Sequence, residues 1–70
     1  MTEAERSMWA DLYRFYDRCG KTEPTMEAWQ ELGVEANRIS NAYNNDFFVR
    51  DVLATILAVM AERKKLGGAR

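Results

Sequence analysis

Val52-Leu53-Ala54-Thr55-Ile56-Leu57-Ala58-Val59-Met60-Ala61 runs for ten residues without a charge, and Thr55 is its only polar side chain. At roughly 100° per residue, Phe48, Val49, Val52, Leu53, Ile56, Leu57, Val59 and Met60 fall on one half of a helical wheel. The opposite half is not strongly polar, because Ala54, Ala58 and Ala61 line it at i, i+4 and i+7. A helix of this kind is expected to be covered on most sides, by its own fold or by a second chain. Around it the helix should run over 46–66, from an Asn45 or Asp46 cap to Gly67-Gly68, with Arg63, Lys64 and Lys65 suiting the negative end of its dipole.

Working back toward the N-terminus, Asn44-Asn45-Asp46 reads as a turn. Before it, Ala36, Ile39, Ala42 and Tyr43 give the inward face of a short helix over 35–44. Gly33 separates this from a helix over 24–32, opened by Pro24 at the first helical position, with Met26, Trp29 and Leu32 on one side. If Gly33 only kinks the chain, the two are one. Thr2 and Glu5 have capping-box spacing, so a first helix is expected over 3–19, with Gly20 closing it in the left-handed conformation. Its apolar face holds Met8, Trp9, Leu12, Tyr13, Phe15, Tyr16 and Cys19. The fold class is therefore all-α: a compact bundle of three to four helices forming a single domain over 1–70.

Bulk properties narrow the function. Seventy residues bury a thin core, and one cysteine with no histidine removes both an internal disulfide and the commonest zinc ligand. Regular helix packing, alone or with self-association, is what remains to stabilise the chain. Net charge is −1 and the isoelectric point about 5.3, so bulk electrostatics do not favour nucleic acid, although a local basic patch would suffice to bind it. Nothing near the N-terminus reads as a signal peptide, and the uncharged stretch is too short to span a membrane. A cytoplasmic protein is expected. No catalytic, cofactor-binding or metal set is visible: there is no histidine-based triad, no glycine-rich phosphate loop and no carboxylate pair in an apolar setting. Cys19 lies on the apolar stripe and reads as a small buried residue. An enzyme is not expected.

Thr25 to Tyr43 resembles the helix-turn-helix pattern of bacterial and phage repressors. That pattern has a glycine at the turn and apolar residues where Ala28, Leu32, Val34, Ile39 and Ala42 stand around Gly33. Trp29 occupies a position that is usually alanine. The resemblance covers about a quarter of the chain. It implies a dimeric DNA-binding regulator reading a near-palindromic site, whose recognition helix would present Asn37, Arg38, Ser40, Asn41 and Asn44 to the major groove.

The leading expectation is different. Eight aromatic residues in so short a chain exceed what a small core needs, and Trp and Tyr are favoured interface anchors. Trp29, Phe15 and Phe48 are assigned to the core. Trp9 and Tyr13 sit at the margin of the first helix's apolar stripe, and Phe47 lies opposite the apolar face of the last helix. These three form the expected protein-binding surface of a small non-enzymatic adaptor, regulator or inhibitor, of the kind phage or mobile-element genes encode. Ala54, Ala58 and Ala61 form an expected self-association edge, equally readable as good helix formers. The basic residues Arg63, Lys64, Lys65 and Arg70 read as a solvated end.

Overall fold

The computed structural model describes residues 1–64. Three α-helices, α1 (Glu3–Lys21), α2 (Met26–Ala42) and α3 (Phe47–Lys64), pack around one apolar core. The expected end of the last helix, with Lys65, Gly67, Gly68 and Arg70, lies outside the described residues.

α1 begins as its sequence dictates. The Glu5 amide donates to Thr2 Oγ1 at 3.1 Å, and the Thr2 amide donates to Glu5 Oε1 at 2.8 Å, so both partners of a capping box are engaged. The other end departs from expectation. Gly20 does not close the helix, which continues to Lys21 with Thr22 as its cap in extended conformation. Other donors satisfy the last carbonyls: Thr22 Oγ1 donates to Arg18 O at 2.7 Å, and Lys64 Nζ donates to the Gly20 and Thr22 carbonyls at 2.9 and 2.6 Å. With those oxygens satisfied, no left-handed residue is required there.

α2 corrects one further expectation and decides between two others. Thr25, not Pro24, sets its start, since Thr25 Oγ1 accepts from the Ala28 amide at 3.1 Å. The helix then runs unbroken through Gly33, so the pieces expected over 24–32 and 35–44 are one element. A glycine inside a helix costs only about 1 kcal/mol relative to alanine. Continuity, in return, keeps Trp29, Leu32 and Ala36 on one buried stripe. An added Cβ at Gly33 would meet nothing within 4 Å. Gly33→Ala should therefore raise stability by about 1 kcal/mol in urea unfolding; a left-handed turn glycine would give a loss.

Asn44 and Asn45 take positive φ of 58° and 57° in the turn after α2, a region asparagine enters more readily than most residues. Ser40 Oγ, buried, donates to Asn45 Oδ1 at 3.1 Å and holds that turn. Asp46 then caps α3, with Oδ2 accepting from the Phe48 and Val49 amides at 3.0 and 3.3 Å.

α1 and α3 run in the same direction. Trp9 meets Phe48 near their N-terminal ends, and Lys64 reaches Gly20 and Thr22 near their C-terminal ends. α2 runs the opposite way. Each helix gives three residues to the core: Leu12, Phe15 and Cys19; Trp29, Leu32 and Ala36; Val49, Leu53 and Met60. Trp29 Nε1 is buried without a hydrogen-bond acceptor among the described residues.

The covering expected for α3 is not supplied by its own fold. Ala54, Thr55 and Ala58 are exposed, and Val59 is 38% exposed. In a three-helix bundle both neighbours lie on one side of each helix, so a second side stays wet. Phe48, assigned to the core, is 44% exposed. It stands at the edge of the apolar half of the wheel, where α1 covers only part of the ring.

Tyr43 fastens the end of α2 to α1 by donating its hydroxyl to Asp11 Oδ2 at 2.5 Å. The Asp11 carboxylate, as acceptor of that proton, is the main cause that raises the phenol above its ordinary value; burial and the Asp11 charge add to it, and Arg14 opposes. A group whose folded value is raised stabilises the fold below its unfolded value, about pH 10 for tyrosine, and loses that contribution as pH climbs through the folded value. Thermal midpoints of the unaltered chain should thus fall more steeply above pH 10 than those of Tyr43→Phe, which lacks the bond at every pH.

Candidate protein-interaction surface

The α1–α3 side facing away from α2 holds most of the exposed aromatic surface. Trp9, Tyr13 and Tyr16, spaced i, i+4 and i+7, are 47%, 68% and 40% exposed. α3 contributes Phe48 and Val59. Trp9 and Phe48 meet edge to face, with ring centroids 5.4 Å apart and planes at 72°, a favoured aromatic geometry. Glu5 and Asp46 line a cleft beside this pair. Toward the other end, Arg63 Nη1 donates to the Tyr16 hydroxyl at 3.1 Å. The rings are thus held by packing and one side-chain hydrogen bond, while most of their area remains in water.

Of the three residues expected to form one surface, Trp9 and Tyr13 share it and Phe47 does not. Phe47 is 79% exposed, but its neighbour is Arg50, whose guanidinium carbon lies 5.8 Å from the ring centroid. Consecutive helical residues point about 100° apart, and it is Phe48 that turns toward Trp9. The signal was present in the sequence, because Phe48 and Val59 fall on the same margin of the wheel.

The alanine edge is only partly a free surface. Ala54 and Ala58 are exposed, whereas Ala61 is half-buried. Exposed Asp51 precedes them at i, i+3 and i+7 and lies along the same stripe. A second helix laid there would take that carboxylate out of water.

The residues assigned to DNA contact are not presented together. Asn37, Arg38 and Asn41 are exposed, but Ser40 is buried and bonded to Asn45, and Asn44 belongs to the left-handed turn. Arg38 makes two hydrogen bonds to the Glu35 carboxylate, which also pairs with Arg18 at 3.7 Å. The segments flanking Gly33 are collinear within α2, without the turn that the helix-turn-helix resemblance implies.

Cys19 is fully buried. Burial raises its thiol above the ordinary value, opposed in part by the positive charges of Lys64 and Arg18. A neutral, enclosed thiol is a poor nucleophile. Among the described residues, no helix is long and apolar enough to cross a membrane, and no cluster of three or more potential metal ligands occurs. No protein-family model, curated protein or solved structure matches the chain.

Proposed function

We propose that the chain is a small non-enzymatic protein-binding module that acts through the α1–α3 aromatic face. The observation that carries this reading is the size of that face. With roughly 200 Å² per aromatic side chain, the exposed parts of Trp9, Tyr13, Tyr16 and Phe48 leave on the order of 400 Å² of ring surface in water. That is the scale of the largest apolar patch on a typical monomer, and such patches are often functional. Tyr and Trp also bring large contact area with few rotatable bonds, which lowers the entropy lost on binding. Phe48 replaces Phe47 in this surface. The helix-turn-helix reading gains no comparable support, since Arg38 is engaged by Glu35 and Ser40 is buried.

The test is affinity purification of the full chain from its source cell, beside the double variant Trp9→Ala, Tyr13→Ala. The variant should keep its helical circular dichroism and lose the captured protein, with affinity reduced by about tenfold or more. Undiminished capture by the folded variant would overturn the reading.

A further inference from the structure

We infer that the occupant of the α1–α3 aromatic face is the same face of a second copy, packed about a two-fold axis with α1 antiparallel to its counterpart. The inference rests on the protein-binding reading and names the partner. Its first support is a set of exposed residues along the Tyr13 side of α1, in the order Arg6, Trp9, Tyr13, Tyr16, Asp17. Arg6 and Asp17 lie within roughly 40° of Tyr13 on the helical wheel. A two-fold axis near Tyr13 lays Trp9 of one copy over Tyr16 of the other and brings Arg6 beside Asp17. The pattern is complementary to its own reversal, as an isologous interface requires. Arg6 makes no ion pair among the described residues, and Asp17 meets only Lys21, at 3.0 Å on the surface.

The ends of the face agree. Glu5 and Asp46 flank the aromatic pair at one end, and Arg63, bonded to Tyr16, stands at the other. Antiparallel pairing sets acid over base at both ends. A net charge of −1 gives two copies little long-range repulsion. The area also fits: a standard interface takes about 800 Å² from each partner, a little over half of it apolar, close to what the rings and Val59 offer. The alanine edge offers smaller side chains and would bury Asp51.

Sedimentation equilibrium of the full chain, from micromolar to near-millimolar concentration, tests this. The unaltered chain should show a monomer–dimer equilibrium, and Tyr13→Glu should weaken it by about tenfold or more with unchanged helix content. Arg6→Asp and Asp17→Arg should each weaken dimerisation several-fold, and the two together in one chain should restore it. A chain that stays monomeric throughout overturns the inference. The protein-binding reading is then judged separately, by whether the Trp9→Ala, Tyr13→Ala pair loses a different cellular protein. A dimer that survives Tyr13→Glu but is lost in Ala58→Glu also overturns the inference and places the contact on the alanine edge.

Discussion

Phe15→Ala should leave a large share of the chain unfolded near body temperature. Phe15 is 2% exposed and sits between Leu12 and Cys19 on the buried stripe of α1. Removing a buried phenyl group costs about 3–5 kcal/mol, from lost transfer energy and the cavity left behind. Proteins are stable by about 0.05–0.15 kcal/mol per residue, so a chain this size has only about 4–10 kcal/mol in total. One ring therefore carries a large fraction of the margin. Urea titration followed by circular dichroism should show a much lower midpoint with a similar slope. Tyr13→Ala, two residues earlier but 68% exposed, should shift stability by only about 0.5 kcal/mol. Equal losses at the two positions would contradict the packing of α1.

The second large effect concerns Cys19. A thiol reagent such as iodoacetamide at mildly alkaline pH should modify the native chain at least about a thousandfold more slowly than the urea-unfolded chain. Two causes act together. The sulfur is fully enclosed, so reagent reaches it only when the core opens. Burial also holds the thiol in its neutral form, even against the nearby charges of Lys64 and Arg18. Where opening is global, the protection ratio reports the unfolding free energy, and about 4 kcal/mol corresponds to nearly three decades. Time-resolved mass spectrometry reads the ratio directly. Rapid labelling under native conditions would show that α1 separates from α3 without global unfolding. The same measurement on Phe15→Ala should show the protection reduced in step with its lost stability.

Much of the architecture could be read from local chemistry. The Thr2–Glu5 box, the Asn44-Asn45-Asp46 turn and the apolar half of α3 each express a rule acting within a few residues, and each stands in the structure. The departures arise where distant parts of the chain decide. Gly33 is a breaker only if nothing rewards continuity, and the reward comes from Trp29, Leu32 and Ala36 packing in the core. Gly20 lost its capping role to Lys64, which is 44 residues away. In the candidate surface, Trp9 and Tyr13 were legible as the margin of an over-wide stripe. The choice of Phe48 over Phe47 was marked by the wheel margin it shares with Val59, but how much of its ring stays in water depends on the angle at which α1 crosses α3. The covering expected for α3 likewise depended on how many neighbours a helix finds, which periodicity does not state.

The same-direction pairing of α1 with α3 also governs when the fold can form during synthesis. α1 packs mainly on α3, and α2 must be spanned before that partner exists. While the eighteen residues of α3 are still held in the ribosome, a nascent chain has α1 and α2 but lacks Val49, Leu53 and Met60. Its Phe15 and Leu12 then face water or a chaperone, so consolidation waits for α3 to emerge.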